Sequence, residues 1–236
     1  MKFGPNKFTA RLAGVTYLIV VVTGIFSLGY VPSKLIVWSS SARTFQQIAE
    51  SQTLFRVSLI SAAVCYVAFL LLPLLLYKLL YAKNEIAAKL MVTFAVVSVP
   101  ISLLNLQNKY GVLAQIEGKK YLNTVATAQL HSQVMIMLEN YDSGILIVSI
   151  FWGLWLLPFG YLVYKSGFLP RILGVLLMVG CFGYLTNFIG NTMFSNYGSS
   201  MVSTIASLPA TFGEIGICLW LLIRGVNEKN LPNEKR

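Results

Sequence analysis

The chain has 236 residues, of which 56% are hydrophobic and only 11% are charged. Soluble domains carry about 25% charged residues, so this composition excludes an ordinary soluble globular protein. The formal net charge of +10 does not indicate nucleic-acid binding, because the basic residues lie in short segments between apolar stretches. Each apolar stretch is close to the roughly 20 residues with which a helix spans the hydrocarbon of a bilayer.

The predicted architecture is all-α, a polytopic bundle of six transmembrane helices. Lys7 and Arg11 precede the first apolar stretch, and no A-x-A cleavage site follows it, so we predict an uncleaved first span. The third span is predicted to end in a polar cluster that includes Asn105 and Lys109. The predicted spans are 12–30, 54–77, 86–106, 144–164, 172–189 and 207–226.

Two segments between spans are predicted to form short amphipathic helices on the outer side. In 31–53, helix-starting serines at 39–41 precede Phe45 and Ile48 at helical spacing. In 124–138, Leu130, Val134 and Leu138 share one face. The second helix is expected to run into the fourth span, with a break at Ser143-Gly144.

The distribution of lysine and arginine predicts the orientation. Most of these residues lie near the termini and in the connections after the second and fourth spans. By the positive-inside rule both termini are cytoplasmic. We therefore predict one transmembrane domain over 1–226, a short charged cytoplasmic tail at 227–236, and a multi-pass protein of the bacterial cytoplasmic membrane.

Glu214 is the unusual residue, because it lies near the middle of the sixth span. A carboxylate at that depth costs roughly 2.5–3.5 kcal/mol on insertion scales, so it needs a partner, a proton or a water-filled cavity. Arg56, at the outer end of the second span, is one candidate partner. The alternative is a protonated Glu214 that bonds to a backbone carbonyl.

The other polar residues of the spans collect in the predicted outer half. We predict a cavity that opens to the outside and binds a small-molecule ligand. The alternative is a set of hydrogen bonds between helices, each worth roughly 0.6 kcal/mol. The candidate ligand-binding residues are Glu214, Arg56, Asn105, His131, Glu139, Asp142 and Asn187.

A metal or redox cofactor is not predicted. Glu139 and Asp142 are close enough on a helix to share a cation, but His131 is about 12 Å from Glu139 by helical rise. A solvated face explains these three residues better. The three cysteines, Cys65, Cys181 and Cys218, have no zinc or disulfide spacing.

Several strings resemble a bacterial six-span membrane family catalogued as domain of unknown function 4386. They are ARLAGVTY at 10–17, LFR at 54–56, GFLPRILGV at 167–175, and GE at 213–214 followed by LWLL at 219–222 and GV at 225–226. Arg56 and Glu214 fall on positions where the family pattern carries them. The resemblance implies a membrane protein of six spans and no particular activity.

The leading functional hypothesis is non-enzymatic binding, or transport, of a small molecule or proton around Glu214 within the lipid bilayer. One alternative is a structural or partner-binding protein that packs the small residues Ala206, Ala210 and Gly213 against another helix. The other is an intramembrane enzyme, although no HExxH, GxSxG, P-loop or GxGxxG motif occurs in a suitable context. The sequence makes no prediction of oligomeric state.

Overall fold

The computed structural model describes residues 6–118 and 126–226, and within these ranges all regular secondary structure is helical. The first helix changes its winding part-way, from an α-helix to a π-helix and back. The elements are α1 (Lys7–Gly24), a π-helix (Ile25–Tyr30), α2 (Val31–Leu35), α3 (Ser41–Glu50), α4 (Gln52–Leu80), α5 (Glu85–Ile116), α6 (Thr127–Leu154), α7 (Leu156–Ser166), α8 (Arg171–Met193), a 3₁₀ turn (Tyr197–Ser199) and α9 (Met201–Ile223).

Six helical segments in the described part of the chain are long and apolar enough to cross a membrane. This confirms the all-α membrane bundle with six spans, whereas the orientation of the termini stays a prediction. The segments are Lys7–Leu35, Gln52–Leu80, Glu85–Ile116, Thr127–Ser166, Arg171–Met193 and Met201–Ile223.

The helices pack as two compact units. The first unit contains the described residues of Met1–Ile19, Ala68–Val99 and Ile147–Arg236, and the second contains those of Val20–Val67 and Pro100–Leu146. The single transmembrane domain predicted for 1–226 stays a prediction. The tail predicted at 227–236 lies outside the described residues.

The predicted end of the third span was wrong. α5 continues to Ile116, so Lys109 lies inside the helix and is only 2% exposed. Leu106, Val112 and Leu113 are also buried, which extends the apolar face of the helix past the polar cluster. A lysine therefore did not mark the end of the span, because packing and not composition alone decides where this helix stops.

The predicted break at Ser143-Gly144 was also wrong. α6 passes through these residues, and a side chain at Gly144 would overlap Asn105 on α5. α6 and α7 meet at Trp155, whose backbone keeps helical angles. Pro158 lacks a backbone N–H, so it cannot bond to the Leu154 carbonyl one turn earlier.

The helix predicted around Phe45 and Ile48 is present as α3. The Ser40 side chain caps it by accepting a hydrogen bond from the Arg43 N–H. The Thr44 hydroxyl bonds to both backbone groups of Val37, at 2.9 and 3.0 Å. The segment before α3 was predicted less accurately. The first span was expected to end at residue 30, whereas the first membrane helix continues to Leu35.

Small residues hold α8 and α9 in close contact within the first unit. A Cβ at Gly180 would overlap Ala210, and a Cβ at Gly183 would overlap the backbone of Ala206. A Cβ at Gly213 would lie 3.1 Å from the Leu177 backbone nitrogen, which is a tight contact. Between membrane helices, close backbone approach at small residues supplies the van der Waals contact that drives packing. This seam fixes the face of α9 on which Glu214 lies.

We predict that Gly183→Ala lowers the free energy of unfolding by roughly 1–3 kcal/mol, because the methyl group forces α8 and α9 apart. Gly24→Ala is the matched control, since its new Cβ would make an ordinary 3.5 Å contact with the Cys65 Sγ. Reversible unfolding in mixed micelles measures both changes. Equal effects of the two substitutions would contradict a tight α8–α9 seam.

Candidate functional site

Glu214 lies on the packed face of α9, with the buried residues Ala210, Ile217 and Leu221. Side chains three, four and seven positions apart share one face of a helix. Glu214 nevertheless stays partly exposed, while these three neighbours are 0–4% exposed.

Two tyrosine hydroxyls from other helices donate hydrogen bonds to Glu214. Tyr17 on α1 bonds to Oε1 at 3.2 Å, and Tyr184 on α8 also bonds to the carboxyl group. The Tyr17 side chain is 1% exposed. The carboxyl group thus receives its hydrogen bonds from α1 and α8, the two helices that pack beside α9.

Glycines bring these two tyrosines into range. A Cβ at Gly14, one turn before Tyr17, would overlap the backbone at Leu222, so α1 and α9 approach closely there. The Cys218 thiol also lies 3.8 Å from the Gly14 carbonyl oxygen. On the other side, Gly153 of α6 leaves space for the Tyr184 side chain.

An aromatic cluster fixes the ring of Tyr17. The Trp155 ring lies 6.3 Å from the Tyr17 ring, 5.0 Å from Phe69 in an edge-on arrangement, and 5.0 Å from Phe159 in a stacked one. Trp155 is 1% exposed and lies where α6 and α7 meet. Packed rings have few alternative rotamers, so the Tyr17 hydroxyl stays directed at Glu214.

No basic side chain neutralises Glu214 within the described part of the chain. The ion pairs found there, at distances up to 4.0 Å, are Arg56–Glu117 and Lys89–Glu85. Hydroxyl donors stabilise a carboxylate but leave its charge in place. Among the described residues, the carboxyl group of Glu214 therefore becomes neutral only by holding a proton or an external cation.

A family profile described as "Domain of unknown function (DUF4386)" matches residues 12–225. The chain belongs to this family. The match includes both tyrosines and Glu214, and it runs from α1 to the residues just after α9. The family description names no activity, so the match establishes the family and not a reaction.

A curated relative of this family member is an uncharacterized protein from Archaeoglobus fulgidus. It is 36% identical over 76 residues, which are 32% of the chain and 43% of the relative. The match thus spans less than half of the relative's length. No solved structure matches the chain.

Among the other predicted site residues, Asn187 lies in the same unit as Glu214. Its side chain bonds to Ser207 Oγ at 2.8 Å and to the Ser203 carbonyl at 3.3 Å, and the Tyr197 hydroxyl donates to it at 2.9 Å. Ser207 lies two turns before Glu214, about 10 Å along α9. Asn187 thus belongs to a polar stretch that begins at the 3₁₀ turn and continues along the α8–α9 seam.

The remaining five predicted residues lie in the second unit. Asn105 donates to the Tyr141 carbonyl at 2.8 Å, and the His131 ring lies 4.6 Å from that of Phe45. Glu139 and Asp142 are exposed on α6. Within the described residues, no three histidine, cysteine, aspartate or glutamate side chains are grouped to hold a metal ion.

Arg56 has a partner other than the one suggested by the sequence. Its Nη2 lies 2.6 Å from Glu117 Oε1, and the two side chains are 48% and 35% exposed. Neither group therefore needs the Arg56–Glu214 ion pair that the sequence suggested. Arg56 forms an ion pair with Glu117, and Glu214 accepts hydrogen bonds from tyrosines.

Sequence reasoning missed Tyr17, Tyr184 and Lys109. The tyrosines resemble ordinary membrane aromatics, and only the position of Tyr17 one turn after Gly14 hinted at close contact. Lys109 was assigned to a connection, although Leu106 and Leu113 at spacings of three and four suggested a continuing helix.

We predict that Tyr17→Phe lowers the free energy of unfolding by about 1–2 kcal/mol, since a partly buried carboxyl loses a donor. In a double-mutant cycle with Glu214→Gln, the two effects should be non-additive. Tyr161→Phe, at a hydroxyl on the exposed surface of α7, is the control and should have little effect. Additive effects of Tyr17→Phe and Glu214→Gln would show that the two groups do not interact.

The exposed Arg56–Glu117 pair should contribute little to stability. Arg56→Gln and Glu117→Gln are each expected to cost less than about 1 kcal/mol, and 1 M salt should remove most of the difference from wild type. Unfolding measurements at low and high salt test this. A larger loss that persists in salt would assign the pair a role that its exposure does not predict.

Proposed function

We propose that this protein binds a proton or a small cation at Glu214, and that the site serves transport across the membrane. The observation that carries the proposal is a carboxyl group with two tyrosine donors and no basic partner among the described residues. An ionisable group inside a membrane segment is expensive to bury, so an unneutralised one points to a functional site.

A polar stretch along the α8–α9 seam supports access by a ligand. The Glu214 side chain lies on the packed face of α9, and its carboxyl group is buried. The polar stretch of Asn187, Ser203 and Ser207 extends along the same seam toward the 3₁₀ turn. If both termini are cytoplasmic, as the lysine and arginine distribution predicts, that turn lies on the outer side, so we propose that the ligand enters from outside.

The proposed setting is the lipid bilayer of a bacterial cytoplasmic membrane, with no nucleic-acid partner. For the alternative of a structural or partner-binding protein, the small residues Ala206, Ala210 and Gly213 pack against α8 of the same chain, and Glu214 bonds within the bundle. The proposal is also non-enzymatic, since a carboxyl group with two phenols beside it binds a cation without needing a reacting nucleophile.

Reconstituted proteoliposomes containing the full chain test the proposal. A pH-sensitive dye inside the vesicles reports proton entry under an imposed membrane potential, and radioactive sodium or choline reports cation uptake. We expect the wild type to transport at least one of the three ions, namely protons, sodium or choline. Glu214→Gln should reduce that flux at least tenfold. The amide keeps the size of the side chain but cannot carry the charge.

Glu50→Gln is the matched control, because Glu50 is an exposed carboxyl on α3 and should leave the flux unchanged. Infrared difference spectra separate the two ligand types. Proton binding produces the carbonyl band of a protonated carboxyl that is absent from Glu214→Gln, whereas cation binding shifts the carboxylate bands. Wild-type protein that passes none of the probes, or a Glu214→Gln variant as active as wild type, would overturn the proposal.

A further inference from the structure

Lys109 is a second charged group that forms no ion pair among the described residues, and it lies in the second unit. Its side chain is among the largest fully buried ones and is 2% exposed. In the described part of the chain it has no carboxylate within the 4.0 Å of an ion pair. A buried ammonium must then be held by neutral groups, and two of them are in place.

The first neutral group is a backbone carbonyl that the π-helix leaves free. In an α-helix the Ser27 carbonyl would accept from residue 31, and in a π-helix from residue 32. The Val31 N–H donates to Phe26 instead, and Pro32 has no N–H. The Lys109 ammonium donates to the Ser27 oxygen at 3.4 Å.

The second neutral group is an aromatic face. The Lys109 Nζ lies 4.1 Å from the centre of the Tyr141 ring, well within the range of a cation–π contact. Tyr141 is itself held in place, because its hydroxyl lies 3.2 Å from that of Tyr66 and its carbonyl accepts from Asn105. The ring is therefore a fixed wall of the site.

The charged group that faces Lys109 from the neighbouring helix is Asp142 on α6, which acts on it electrostatically without forming an ion pair. On its own helix the nearby polar residues are Asn105 and Asn108, which bond to each other at 2.9 Å. The carbonyl and the ring thus provide the direct contacts to the ammonium.

We propose that the Ser27 carbonyl and the Tyr141 ring form a binding site for a primary ammonium group, which the chain fills with its own Lys109. Filling the site locks the π-helix of the first membrane segment. Without the ammonium, the Ser27 carbonyl regains a donor only when the Val31 N–H moves to it, which returns this turn to α-helical winding. This proposal does not depend on the role of Glu214.

Chemical rescue tests the site in the full chain in detergent. Lys109→Ala should lower the midpoint of thermal unfolding by roughly 5 °C. Added n-propylammonium, which replaces the deleted part of the side chain, should restore at least half of that loss. The neutral probe 1-propanol should not. Lys34→Ala is the matched control, because Lys34 also lies over a tyrosine ring but is exposed.

A second variant keeps the proposal testable if Lys109→Ala does not fold. Pro32→Ala supplies the missing N–H at residue 32 and so gives the Ser27 carbonyl a backbone donor. Lys109 should then react at least threefold faster with a membrane-permeant amine reagent, as measured by mass spectrometry of its peptide, while Lys34 reacts as in wild type. Equal rescue by 1-propanol, or unchanged labelling of Lys109 in Pro32→Ala, would overturn the proposal.

Discussion

The main constraint on this membrane protein is that two ionisable side chains must be stabilised by neutral partners. At membrane depth, water is absent and an unsatisfied polar group costs several kcal/mol. Glu214 is satisfied by the hydroxyls of Tyr17 and Tyr184, and Lys109 by a carbonyl and a ring. Each arrangement requires partners from different helices, so helix packing must place them accurately.

Small residues provide that accuracy in the first unit. Gly14 sets the distance between α1 and α9, and Gly180 and Gly183 set that between α8 and α9. Gly160 and Gly174 do the same for α7 and α8. Lipid gives no hydrophobic drive for helices to associate, so close contact at small residues has to supply the packing energy. The tyrosine donors of Glu214 are thus a consequence of where glycine allows backbones to meet.

The sequence predicted the six spans and the acid inside the last one, because hydropathy is a local property of the chain. It could not predict the partners of that acid. Tyr17 and Glu214 are 197 residues apart, and Arg56 and Glu117 are 61 apart, so nothing local connects them. The predicted end of α5 was wrong for a related reason. Lys109 is tolerated inside a helix only because the Ser27 carbonyl and the Tyr141 ring contact it there.

The ion-paired side chains and the unpaired Glu214 differ in their surroundings, and this difference bears on function. The ion pairs of the described residues are Arg56–Glu117 and Lys89–Glu85, and their side chains are 35% to 65% exposed. At such exposure an ion pair adds little to the free energy of unfolding. Burying an opposite charge beside Glu214 would have cost a second desolvation and cancelled its charge. Tyrosine hydroxyls stabilise the carboxyl group and leave its charge available. The cation binding that we propose for Glu214 requires that charge.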